Sequence, residues 1–395
     1  MTHFEKANTM RSLTAALLFS VSTTALAASL EPDLASAEGF AATCAALPRE
    51  AAQLKTVQQR QAFAICRDVE LVRDIATFIA TAEQAVDSGK KMPDAQARQL
   101  LRAKLVHVRD ELRTVRLVLE KLKLGKHDGL LVAPANWQLD LNGDAEIKTW
   151  ERYFFAIPKR ELRPFQFSMP SNDPAYYQDQ YRLDASVRID HSDILWSLGY
   201  HYFIEALVET VLSYTLNLED LQARAIELTD PAGMRRANQL MVRGFQTSEA
   251  MRRAVLAEKD DDHEWIANDT QKNSVFPLPL DAEDFKVWGQ VLGFLIPLFE
   301  GKTLLQPDPK AGGLLGRASK ICPEGKGLNV TRFYSNPPRY PLEQINQDNL
   351  GRMCEPISKA RPASGLFAFM LGYAQRAENQ QGAGMLFLRQ LLWVN

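Results

Sequence analysis

A heptad seam runs through residues 94–124. Leu101, Leu105, Val108, Leu112, Val115, Leu119 and Leu122 recur at alternating steps of four and three. On a helix that spacing stacks the side chains into one stripe, which must be buried against a second helix. The partner stands just upstream, where Ile65, Val69, Val72, Ala76 and Ile79 repeat the pattern within residues 53–87. The joining stretch, SGKKMPD at 88–94, supplies a turn glycine, a proline and a capping aspartate. The two segments are therefore predicted to form an antiparallel helical hairpin. Gly125 stands where a C-terminal cap belongs, after Lys121 and Lys123, whose charges suit that end of a helix.

Further helices are predicted over 192–216, 231–258 and 281–300, with a last apolar one near 383–393. In the third of these, Phe285, Trp288, Leu292, Leu295 and Phe299 share one face, and Gly301 follows as a stop. Residues 126–190 are less regular, with a short helix expected near 147–157. No sustained period-two alternation occurs, so the fold class is mainly α, a multi-helix bundle. The chain divides into an export segment (1–27), a hairpin region (28–130), a central helical region (131–301) and a Gly- and Pro-rich C-terminal region (302–395).

The export segment is MRSLTAALLFSVSTTALA, at 10–27. One Arg, a short apolar run and Ala25-Leu26-Ala27 follow the order of a secretory signal peptide, so the mature chain is expected to begin near Ala28. No other stretch approaches the roughly 20 apolar residues that a membrane span needs. A periplasmic or secreted location follows. The four cysteines, Cys44, Cys66, Cys322 and Cys354, then read as disulfides, the near pairs being the simplest of three connectivities. With 46 basic and 48 acidic residues the net charge is -2, which argues against a nucleic-acid partner.

The stretch DLNGDAEIKTWE, at 140–151, resembles the EF-hand calcium loop. Such a loop wraps six to eight oxygens around one ion by placing them at alternate positions. Asp140, Asn142 and Asp144 take the first, third and fifth places. Glu146 is seventh, where the family uses its backbone carbonyl, and Glu151 is twelfth, where the family's Glu binds through both oxygens. Ile147 fills the usually apolar eighth place, and Lys148 stands ninth. The resemblance implies a calcium site built from Asp140, Asn142, Asp144, Glu146 and Glu151. It covers twelve residues and departs from the family at the sixth place, where Ala145 replaces the usual glycine. A non-glycine residue forced there to positive φ costs about 1 kcal/mol. An Asn-Gly turn in which Asp144 caps the next helix is the competing reading.

Along 192–216, Asp193, Ser197, His201, Glu205, Glu209 and Ser213 recur at intervals of four on an otherwise apolar helix. The stripe reads either as a narrow solvent face or as the wall of a polar cavity, with His201 and Glu205 at metal-ligand spacing. Asp190-His191-Ser192-Asp193 reads as a capped helix start or as a second acidic cluster over the calcium loop. The run EKDDDHEW, at 258–265, reads most simply as a solvated interhelical loop, with a metal or partner role as the alternative. The expected function is that of an exported helical protein binding calcium, in a binding or structural role. The alternative is a metal-dependent hydrolase using the His201, Glu205 and Glu209 stripe.

Overall fold

The computed structural model describes residues 31–89, 92–125, 128–159, 173–216, 225–277, 280–305, 322–341, 351–357 and 361–362. The expected export segment and the expected last helix at 383–393 lie outside these residues. Ser36 caps α1 (Ala37–Ala46) by accepting the Gly39 amide. A reciprocal box of Thr56 and Gln59 opens α2 (Val57–Asp87), and Pro93 precedes α3 (Asp94–Leu119). These two helices are the predicted hairpin. Its seam is sealed at one end only. Val69, Val108, Leu112, Val115 and Leu119 are buried, while Ile79 and Leu101, toward the tip, are about half-exposed. The buried half is where a third helix crosses it.

That helix is α6 (His191–Leu212). It follows β1 (Leu130–Val132), α4 (Thr149–Arg152), β2 (Ile157–Pro158), α5 (Pro174–Gln180), β3 (Tyr181–Arg182) and β4 (Val187–Ile189). α4 is much shorter than the helix expected over 147–157. Ile157 and Pro158 are instead drawn into an antiparallel pair with β3, and the chain leaves helical geometry at Tyr153. β1 pairs antiparallel with β4, and Trp137 stacks on Phe40 while donating its indole N–H to the Leu34 carbonyl. One core cluster forms here, around Leu34, Phe40, Ala62, Val132 and Trp137.

β5 (Tyr214–Leu216) and β6 (Ile226–Leu228) pair antiparallel ahead of α7 (Pro231–Ala257), which packs along α6. α8 (Ala282–Phe299) is capped by Asp281 and Asp284 and lays Phe285, Trp288 and Leu292 against α7. Trp288 also donates its indole N–H to Ser248 at 3.1 Å. Beyond it come β7 (Thr303–Leu304), β8 (Lys326–Leu328), α9 (Thr331–Ser335), β9 (Cys354–Pro356) and β10 (Arg361–Pro362), with β8 antiparallel to β9 and β7 parallel to β10. The fold is mainly α, with small two-stranded pairs bracing its loops. Cys44 is bonded to Cys66, joining α1 to α2, and Cys322 to Cys354, closing the β8–β9 region. Among the described residues no helix is long and apolar enough to cross a membrane.

Candidate cation sites

The loop 140–151 sits against α2. Thr77 Oγ1 donates to the Leu141 carbonyl at 3.0 Å, and a Cβ added to Gly143 would meet the Thr77 methyl at 3.2 Å. Leu141 is wholly buried beneath the loop. The side-chain oxygens turn back on their own backbone. Asp140 accepts the amides of Gly143 at 2.7 Å and Ala145 at 2.9 Å. Asn142 Oδ1 accepts the Asp144 amide, and Asp144 Oδ1 accepts the Glu146 amide, both at 3.0 Å. Glu151 closes the loop from α4 and is wholly buried. Its Oε1 accepts the Leu141 and Asn142 amides at 2.8 and 3.1 Å, and its Oε2 accepts the Lys148 amide at 2.9 Å.

The backbone that makes this wrapping possible takes positive φ twice, at Gly143 (77°) and at Ala145 (68°). Among the described residues Ala145 and His263 are the non-glycine positions held this way. Ala145 is the sixth residue of the stretch, the place where the EF-hand family uses glycine. Lys148 lies across the mouth. Its ammonium bonds Asp144 Oδ2 and, together with the Asn142 side chain and the Glu146 amide, holds the Asp144 carboxyl down to about 2. Glu146 and Ile147 are exposed. The donor set of Asp140, Asn142, Asp144 and Glu151 is all hard oxygen, the chemistry that suits calcium or magnesium rather than a soft metal. No helix enters the loop; Pro134–Asn136 forms a single tight turn before it.

A second cluster lies at the start of α6. Asp190 caps the helix, accepting the Asp193 amide at 3.1 Å, while Asp193 Oδ2 accepts the Asp190 amide at 3.2 Å. The capped-start reading is therefore met. The end of α7 brings in Glu258 and, beyond it, Glu264. One oxygen each of Asp190, Glu258 and Glu264 lie within 4.8 Å of one another. Burial, and then the charge of Asp190, push Glu258 up to about 9. Burial raises Glu264 to about 7, with Asp190, Asp260 and Asp261 adding to it. Asp193 is raised well above its ordinary range, mainly by burial. Crowded carboxylates of this kind relieve their repulsion by holding protons or a cation. Within the acidic run, Asp260, Asp261 and Asp262 are exposed, as expected of a solvated loop, while Glu258 is partly buried and Glu264 buried.

The polar stripe of α6 takes neither predicted place. His201, Glu205 and Glu209 are buried, and the apolar Ile204, Leu207 and Val211 are exposed. Arginines from the neighbouring helices account for the inversion. Arg116 and Arg113 reach Glu205 at 2.6 and 3.1 Å, and Arg113 and Arg236 reach Glu209 at 3.0 and 3.1 Å. His201 Nδ1 lies 2.8 Å from the Ser197 carbonyl and Nε2 lies 2.9 Å from Asp68. Both ring nitrogens and both carboxylates are thus already engaged.

Sequence reasoning missed Thr77 as the anchor of the loop, Asp68 as the partner of His201, and the meeting of Asp190 with Glu258 and Glu264. The two acid-rich stretches were visible, but nothing local joined them. No protein-family model, curated protein or solved structure matches the chain.

Proposed function

We propose that this is an exported protein that binds one calcium ion in the loop 140–151, in a structural or binding role. The observation that carries the reading is Ala145 held at φ 68°, in the sixth place of the stretch. A fold tolerates such a residue where the backbone must turn sharply, and a loop that folds its oxygens inward has that need. Asp140, Asn142 and Asp144 would supply one oxygen each from the exposed side, and Glu151 would supply its carboxylate from the buried side. Calcium would displace the Lys148 ammonium from Asp144 and tie α4 to α2 through Thr77 and Leu141. The two disulfides and the segment at 10–27 support an oxidising, extracytoplasmic setting, where calcium is abundant.

Calorimetric titration of chelator-treated protein tests the proposal. Calcium is expected to bind one to one and to raise the melting temperature. The stabilisation is about 2.7 kcal/mol when free calcium stands a hundredfold above its dissociation constant. Magnesium is expected to substitute poorly, since it keeps its waters and demands a smaller shell. Glu151→Gln is expected to abolish the calcium response while leaving the helical circular dichroism intact. A chain that shows neither heat nor a shift in melting temperature with calcium has only a capped turn there.

A further inference from the structure

We propose that the chain binds an amphipathic organic monoanion, such as a medium-chain carboxylate, in the pocket between α1 and α2. The pocket has a volume of about 650 Å³ and is bounded on its third side by Gln138 and Leu139. That size lies within the range of small-molecule sites, about 300–1,000 Å³. Its floor is apolar. Phe40, Phe63 and Val69 are buried there beside the Cys44–Cys66 disulfide, which fixes the spacing of the two helices at the floor.

The rim carries charge of one prevailing sign. Three arginines, Arg49, Arg67 and Arg73, stand against one carboxylate, Glu70. Arg67 is spent on protein partners. It bonds Glu111, lies 3.4 Å from Glu70 and sits over the Phe63 ring. Arg49 and Arg73 are exposed, and among the described residues neither has an ion-pair partner within 4.0 Å. Two guanidiniums without such a partner therefore remain on the rim above the apolar floor. A guanidinium is the side chain best shaped to grip a carboxylate. An uncharged apolar ligand would leave the rim unused, and a cation would meet repulsion.

The proposal does not depend on calcium, so it is tested on the full mature chain with calcium and again with chelator. The probes are decanoate, decanol and decyltrimethylammonium, each below its micelle concentration, with calorimetry as the readout. Decanoate is expected to bind one to one in both conditions, decanol much more weakly, and the cation not at all. Replacing the two exposed arginines together, Arg49→Gln with Arg73→Gln, is expected to weaken decanoate by roughly tenfold or more, the loss typical of a charged hydrogen bond. Ala41→Trp, which fills the cavity from an exposed position on α1, is expected to block decanoate while the melting temperature is retained. Equal affinity for decanoate and decanol would overturn the proposal, as would decanoate binding unchanged in both variants. Absence of saturable heat overturns it too. So does co-flotation with phosphatidylglycerol vesicles without binding of monomeric decanoate, which would make the surface a membrane contact.

Discussion

Arg116 Nε donates to Glu205 Oε2 at 2.6 Å, across an interface where Glu205 is wholly buried and Arg116 nearly so. Arg113 and the second guanidinium nitrogen of Arg116 complete the shell around that carboxylate. Arg116 reaches on to Glu120, which also accepts the Tyr202 hydroxyl at 2.6 Å. The α3–α6 interface is therefore a charged network inside a helical core.

Breaking this network from one side strips the buried Arg116 of the Glu205 carboxylate and leaves it Glu120 as its carboxylate partner. Glu205→Gln is expected to destabilise the protein by about 3–5 kcal/mol, the usual cost of stripping one partner from a buried pair. Removing both charges together, Glu205→Leu with Arg116→Met, is expected to cost less than Glu205→Gln alone. Urea unfolding of the three proteins checks the order. Equal losses in the single and double variants would mean the pair is not the source of the cost.

Ala145→Gly relieves a positive φ. The calcium-free protein is expected to gain about 1 kcal/mol, and calcium to bind more tightly. Denaturant melts in chelator, followed by calorimetry with calcium, separate the two effects. A loss of stability would show that the Ala145 side chain contributes more than its backbone costs.

Stability is expected to fall as pH rises from about 4.5 toward 9. Glu258 and Glu264 have an unfolded value of 4.5, and the fold raises them to about 9 and about 7. Over that span the folded state holds protons that the unfolded chain has lost, so raising the pH favours unfolding. The contribution is complete below 4.5 and lost as pH passes 7 and then 9. His201 acts in the same sense. Burial opposes its charge, but Asp68, the Ser197 carbonyl and Glu205 together outweigh burial and raise it, so its contribution fades as pH rises past its folded value. Melting temperatures across this range should decline more steeply for the natural chain than for Glu258→Gln with Glu264→Gln. Parallel curves would rule out the acidic cluster as the cause.

Cys44→Ala with Cys66→Ala frees α1 from α2. The bond closes a span of 22 residues, for which chain entropy predicts a loss of about 3 kcal/mol. Guanidinium unfolding measures it. Proteolysis is expected to begin within 37–46, because the disulfide cross-links α1 to α2.

Local spacing was enough to place the main helices. A 3.5-residue repeat marks a helix wherever it lies, so α2, α3, α6, α7 and α8 were legible within a few residues of their ends. The oxygens of the loop 140–151 fall within twelve residues, and their order was visible for the same reason. Which way a face turns depends on what the rest of the chain packs against it. The stripe of His201, Glu205 and Glu209 resembled a solvent edge or a cavity wall, yet it is buried, because arginines about ninety residues upstream on α3 meet it. Likewise Asp190 closes a helix start in sequence, and becomes part of an acidic cluster only because the end of α7 brings Glu258 and Glu264 to it. Periodicity records that a helix has a distinct face. What that face meets is set by charges and packing contributed from distant parts of the chain, and these leave no mark on the local pattern.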